Sequence, residues 1–254
     1  MGKWGKWAQS FFWFRITFAT VSVAALIIGG ALLAQEMRSS EQQAKFFSKL
    51  ASKATFEPRD GPSSNIRFPA SAPYDDRLGY SRLPLFIDKL KGKNFEITRQ
   101  AGISAEMTNI LDAGYFAPYG EKMQGGLTVL DCHKDKLFEA RHPERIFDHF
   151  EDIAPVLVQS LLYIENRELL SQEQPHRNPA VEWDRLAHAA FVKALNSLTG
   201  GGNAPGGSTL ATQIEKYRHA DEGRTSSVQD KLQQMVSATL RAYQQGEDTT
   251  LVRR

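Results

Sequence analysis

One uninterrupted apolar run near the N-terminus constrains this chain more than any other feature. "ITFATVSVAALIIGGALLAQ" (Ile16–Gln35) contains twenty residues and no charge. A helix of that length crosses roughly 30 Å of hydrocarbon. Lys3, Lys6 and Arg15 precede the run, and Glu36, Arg38 and Glu41 follow it. Basic flanks are retained on the cytoplasmic side. Residues 1–15 are therefore expected to be a cytoplasmic tail, residues 16–35 a transmembrane anchor, and the remainder to lie outside the cytoplasm. Trp4, Trp7 and Trp13 stand at the near boundary, where indoles favour the water–lipid interface. The run ends "GGALLAQE", with leucine where a signal cleavage site needs a small residue, so the anchor reads as uncleaved. A buried core helix of this length would carry a polar face, and this one has none.

Composition adds limits. The 254 residues suffice for one sizeable domain or two small ones. With 31 basic and 29 acidic residues the net charge is +2, which points to no nucleic-acid partner. Cys132 is the single cysteine, so neither an internal disulfide framework nor a multi-cysteine metal site is available. Histidine spacing indicates no metal site. His142, His149 and His176 all fall in polar loop sequence.

Behind the anchor, residues 41–56 read as a short amphipathic helix with Phe46, Phe47 and Leu50 on one side. "EPRDGPSSNIRFPASAP" reads as a linker or extended stretch. Residues 36–125 together form an extracytoplasmic linker or accessory region, with helices expected near Leu83–Leu90 and Ala105–Ala113. "GLTVLDCHKDKLFEAR" (Gly126–Arg141) reads as a hairpin with arms Thr128–Leu130 and Leu137–Glu139. From Asp152 onward the spacing is helical, in "IAPVLVQSLLYIENREL", "AVEWDRLAHAAFVKALNSL" and "SVQDKLQQMVSATLRAY". The last residues, "GEDTTLVRR", show no recognisable closing element.

Two stretches carry chemistry. "TGGGNAPGGSTLATQIEK" (Thr199–Lys216) lets the backbone turn sharply and then starts a helix at Ser208 or Thr209. The free N–H groups and positive dipole end of a first turn form an anion site. Thr209, Gln213 and Lys216 fall at i, i+4 and i+7, on one face of that helix. A hydroxyl, an amide and a lysine above a helix N-terminus make a pyrophosphate cradle; a flexible loop with an ordinary cap has the same pattern. In "LLYIENRELL", Glu165 lies where an apolar helical run turns polar. A partly desolvated carboxylate there suits a general base, and an ordinary solvated helix end has the same sequence.

Taken in order, "IENRELL", "NPAVEWDRLAHAA" and "GGSTLATQIEK" resemble the start of a family 51 glycosyltransferase domain. These are the peptidoglycan glycosyltransferases of class A penicillin-binding proteins and of stand-alone transglycosylases. The family's Glu-Asp-x-x-Phe motif is matched by Glu165-Asn166-Arg167-Glu168-Leu169, with His176 in the place of a following histidine. Its Gly-Gly-Ser-Thr-Ile-Thr-Gln-Gln motif, with a lysine three residues on, is matched by Gly206, Gly207, Ser208, Thr209, Gln213 and Lys216. Ala211 and Thr212 depart from it. The Arg-Lys-x-x-Glu motif falls on residues 230–234, where Lys231 is kept and Gln234 replaces the glutamate.

The resemblance implies a mainly α, lysozyme-like glycosyltransferase lobe with a small β-hairpin over residues 126–254, behind one transmembrane helix. It also implies a further helix and lobe, so the chain reads as truncated, the N-terminal part of such an enzyme. The implied activity is polymerisation of lipid II into glycan strands with release of undecaprenyl pyrophosphate, on the outer face of a bacterial cytoplasmic membrane. Glu165 would be the catalytic base. Gly206, Gly207, Ser208, Thr209, Gln213, Lys216, Lys231 and Gln234 would bind substrate, and a divalent cation, Mg or Mn, would assist the leaving group. Implied partners are lipid II, the nascent glycan chain, the membrane and other cell-wall synthesis proteins. Two alternatives compete: an inactive envelope scaffold or binder of lipid-linked sugar, and an interaction module in residues 36–125.

Overall fold

In the computed structural model the described residues are 4–68, 72–199 and 207–254. The anchor is the middle of one long helix, α1 (Trp4–Ser39). Within it, Arg15–Ser39 is long and apolar enough to cross a membrane. Val21, Leu26, Ile27, Leu32 and Leu33 are all exposed, as a lipid-facing helix requires.

The chain leaves α1 through Ser40, which takes a left-handed conformation (φ 56°), and enters α2 (Glu41–Ala51). The helix junction is fixed by one carboxylate. Glu36 accepts from the N–H groups of Gln42 (3.0 Å) and Gln43 (2.9 Å), two of the orphan donors of the α2 first turn. A negative charge is favourable there.

The region read as a linker is folded. β1 (Phe56–Asp60) is followed by α3 (Pro73–Leu78) and α4 (Leu83–Lys91). Next come β2 (Arg99–Ile103) and α5 (Ala105–Asp112). β1 and β2 pair antiparallel, with Phe56 opposite Ile103 and Asp60 opposite Arg99. Ser104 caps α5 by accepting from the Met107 N–H at 3.1 Å. The hairpin is β3 (Gly125–Leu130) and β4 (Lys136–His142), antiparallel, with Thr128 opposite Glu139. A Cβ on Gly126 would collide with the Ala140 carbonyl, so that strand position takes glycine.

The remaining helices are α6 (Pro155–Glu165), α7 (Trp183–Thr199), α8 (Leu210–His219), α9 (Val228–Ala242) and α10 (Thr250–Arg253). The architecture is therefore mainly α with two small two-stranded sheets, consistent with a lysozyme-like lobe behind an apolar N-terminal helix.

The core lies where α2, α5 and α9 meet. Ala51, Ala54, Met107, Ile110 and Leu240 are buried together, flanked by Phe47, Leu50 and Ile103. Phe47 also stacks on Tyr243, with centroids 6.5 Å apart. Residues on both sides of the hairpin thus share one core.

The final residues differ from the sequence expectation. "GEDTTLVRR" packs on the loop after Glu165 through polar contacts. Arg253, only 6% exposed, donates to the carbonyls of Leu169 (3.1 Å), Ser171 (2.9 Å) and Gln174 (3.1 Å). The Thr249 hydroxyl donates toward the carbonyls of Pro175 (3.0 Å) and Arg177 (2.7 Å). His176, expected as a surface loop residue, sets Nδ1 3.1 Å from the Glu247 carbonyl. These contacts to its backbone help to hold the loop that follows Glu165.

Leu240 is fully buried among residues of three helices. Leu240→Ala is expected to lower stability by about 2–5 kcal/mol through lost burial and a residual cavity. Chemical denaturation of the full chain in detergent measures it.

Candidate active site

Thr209 starts α8 with a reciprocal cap. Its hydroxyl accepts from the Thr212 N–H (3.3 Å), and the Thr212 hydroxyl accepts from the Thr209 N–H (2.9 Å). Both threonines are buried. Thr212 departs from the family pattern, and its hydroxyl is what completes this cap. Thr209 is thereby a structural cap. The loop lands directly on α7: a Cβ on Gly207 would touch Ala189, Arg185 and Leu186 at 3.6 Å. Gly206 lies outside the described residues, as do residues 200–205.

Glu165 ends α6 and meets α8 in space. Gln213 Nε2 donates to Glu165 Oε2 at 3.4 Å. Arg185, on α7, donates to the Glu165 backbone carbonyl at 2.7 Å, and its guanidinium lies 3.9 Å from Oε2. The same guanidinium reaches Glu182 at 3.4 Å. The Glu165 side chain keeps 23% of its surface exposed. Three helices thus converge on one accessible carboxylate, which sits beside a residue of the first turn of α8. Ser208 is partly exposed beside the cap. Lys216, also partly exposed, has no hydrogen-bond or ion-pair partner among the described residues. Its ammonium is available to an anion.

Lys231 and Gln234 are elsewhere. α9 runs back along α8, so its start lies beside the far end of that helix. Gln234 is buried, accepts from the Thr225 hydroxyl at 3.0 Å, and lines a hollow with His219 and Ala220. Lys231 is on the same first half of α9. The structure does not bring either side chain to Glu165. The reason is geometric: Glu165 meets α8 at Gln213, six residues, or roughly 9 Å along the helix axis, before His219.

Sequence reasoning missed the group that holds α8 in place. Glu215, 1% exposed, is ion-paired to Arg241 of α9 through Nε. Arg241 also donates to the carbonyls of Tyr119 and Ala117 and lies 3.4 Å from Glu121. Glu121 in turn meets Arg218 (2.8 Å) and His219 (2.7 Å). Burial pushes the Glu121 carboxyl up, but His219, Arg241 and Arg218 outweigh it and hold it below its ordinary value. No local sequence pattern marked Glu215 as an inward charge, and its partner Arg241 lies 26 residues away.

Among the described residues there is no group of three His, Cys, Asp or Glu side chains able to hold a metal ion.

Residues 134–251 match the family model described as Transglycosylase. The match starts in the turn of the β3–β4 hairpin and ends within α10. Neither a curated protein nor a solved structure matches the chain significantly.

Arg241→Ala would leave Glu215 and Glu121 buried without their shared cation. A loss of about 3–5 kcal/mol is expected. The double variant Arg241→Ala/Glu215→Gln should lose less than the sum of its single changes, because the two groups are coupled. The Glu121 part has a defined sign. Its folded carboxyl titrates below the ordinary value of 4.5, so that stabilisation is full above this pH and is lost as pH falls through the lower folded value. Denaturant midpoints between pH 3 and pH 7 check both statements.

Proposed function

We propose, on the match of residues 134–251 to the transglycosylase family model, that the chain is a membrane-anchored peptidoglycan glycosyltransferase acting on lipid II. The observation that carries this reading is the contact between Glu165 and Gln213. It joins a partly exposed carboxylate to the first turn of a capped helix, so a base and an anion site share one place.

The reaction assigns each group a task. The acceptor sugar hydroxyl loses its proton to the Glu165 carboxylate as its oxygen attacks the anomeric carbon of the donor chain. The bond from that carbon to the pyrophosphate oxygen breaks, and undecaprenyl pyrophosphate leaves with the electron pair. The free N–H groups at the start of α8, the Ser208 hydroxyl, the Gln213 amide and the Lys216 ammonium favour the charge that develops there. Arg185 holds the α6 terminus and so fixes where the carboxylate points. Gly206 and Gly207 let the loop approach the pyrophosphate closely. Lys231 and Gln234, beyond the far end of α8, would touch only a more extended part of the substrate. A divalent cation, Mg or Mn, would be carried in by the pyrophosphate oxygens.

The anchor supports a lipid-linked substrate. α1 is continuous into Ser39, and α6 exposes Val156, Leu157, Leu161, Tyr163 and Ile164. An apolar surface of this kind suits contact with lipid. The positive flank of the anchor puts the domain on the outer face of a bacterial cytoplasmic membrane. A nascent glycan chain and other cell-wall synthesis proteins are the partners this setting provides.

The test is polymerisation of lipid II by the full chain in detergent, resolved on a gel. Glu165→Gln is expected to reduce chain growth by at least about 10²-fold while lipid II binding persists. Gln213→Ala should reduce it by about 10-fold or more, within the range for one transition-state donor. Equal growth by wild type and Glu165→Gln would overturn the assignment. Binding without growth by the wild type would favour a lipid-linked-sugar binder or scaffold.

A further inference from the structure

A second site lies in the region read as accessory, reaching α8 at His219, six residues from the Gln213 that meets Glu165. A cavity of about 420 Å³ opens between the β1–β2 sheet, α5 and α3. Its wall is apolar and aromatic: Phe56, Met107, Tyr115, Phe116 and Tyr119 line it, with Ile103 between them. Phe56 and Tyr119 meet edge to face at 6.1 Å. One carboxylate lines this wall. Asp75 is 3% exposed, and its carboxylate makes no hydrogen bond and no ion pair among the described residues.

The other charges near it are already matched. Arg67 at the rim is ion-paired to Asp112. His219 lies 2.7 Å from Glu121. Asp76, on the same helix, holds the Ser81 hydroxyl at 2.5 Å. Among the described residues Asp75 is thus the one charge lining the cavity that has no hydrogen bond or ion pair.

Burial of a charged group without a partner is unfavourable, and a cavity that needs only filling would be better lined without one. An anion would be repelled by Asp75 and Glu121. A metal ion needs several oxygen ligands, and only one unpaired carboxylate is present. An organic ammonium needs one carboxylate and aromatic faces, and both are here. We propose that this cavity binds a small organic ammonium ligand whose apolar body packs among Phe56, Met107, Tyr115 and Phe116 while its cation pairs with Asp75. The site is separate from glycosyl transfer and does not depend on that assignment.

The titration of Asp75 agrees. Burial, opposed by His219 and reinforced by Glu121 and Asp76, pushes its carboxyl up to about 6. The group is raised, so its ionised form is disfavoured in the empty fold. Stability should be gained as pH falls through about 6, and a cation should restore the ionised form. Tyr119 faces the same carboxylate, and burial raises its hydroxyl further out of the working range.

The probe is phenethylammonium, with 2-phenylethanol as a neutral analogue of the same shape, titrated calorimetrically into the full chain in detergent at pH 8. Saturable binding of the ammonium is expected, with the alcohol at least tenfold weaker. Asp75→Asn should weaken the ammonium at least tenfold and leave the alcohol unchanged. Ala101→Phe, which fills the cavity, should remove both. Lowering the pH from 8 to 5 should weaken ammonium binding to the wild type severalfold, a readout that stands even if Asp75→Asn fails to fold. Equal affinities for ammonium and alcohol, an unchanged affinity in folded Asp75→Asn, or no saturable binding at millimolar probe would each overturn the proposal.

Discussion

The fold depends on one guanidinium. Arg241 lies near the end of α9, and its nitrogens reach Glu215 on α8, Glu121, and the carbonyls of Ala117 and Tyr119. The segment at 117–121, the helix carrying the candidate motif and the helix that builds the core are therefore tied at one point. Guanidinium suits this task because its planar fork presents several donors in fixed directions and stays charged when buried. A hydrophobic contact could hold two of these segments, but it would not set the rotation of α8 about its own axis. That rotation decides whether Gln213 faces Glu165.

The tie to the membrane has the same character. Glu36, in the last turns of α1, receives the first turn of α2. Gln43 on α2 accepts from Asn178 at 3.0 Å, and Asn178 donates to Thr239 of α9 at 3.1 Å. Asn178 sits in the loop between α6 and α7 that Arg253 and Thr249 clamp. A continuous set of short polar contacts thus runs from the end of the anchor to the loop beside Glu165. Under the proposed function this matters, since the position of Glu165 relative to α1 is then set by structure and not by a flexible tether.

What could be seen in the sequence follows from range. The apolar run of the anchor, the helical periodicity of α6 to α9 and the hairpin from Gly126 are local patterns, and the structure contains each of them. The start of α8 at Thr209 was legible because capping is also local. The β1–β2 sheet was not, because its strands pair across about forty residues and β1 carries Pro58, a poor strand signal. The contacts of Arg253 and Thr249 were not legible because their partners are backbone carbonyls some 70–84 residues earlier, and carbonyls have no sequence signature. Lys231 and Gln234 were grouped with Glu165 through motif order alone. Motif order preserves sequence, and it does not show which end of an antiparallel helix pair a residue reaches.

α8 has two ends with opposite duties. Its N-terminus offers unfilled donors and a positive dipole to a ligand. Its C-terminal turn carries Arg218, a cation where the dipole favours one, and His219. Left exposed, Arg218 would compete with the N-terminus for an anion. It does not compete, because Glu121 neutralises it within the cluster around Arg241, where His219 also meets Glu121 and the buried Glu215. Of the basic side chains on α8, Lys216 keeps an unpaired charge among the described residues. The positive potential of this helix is thereby confined to the face and the end that Gln213 and Glu165 share. An ion cluster that looks purely structural therefore also defines where an anion can bind.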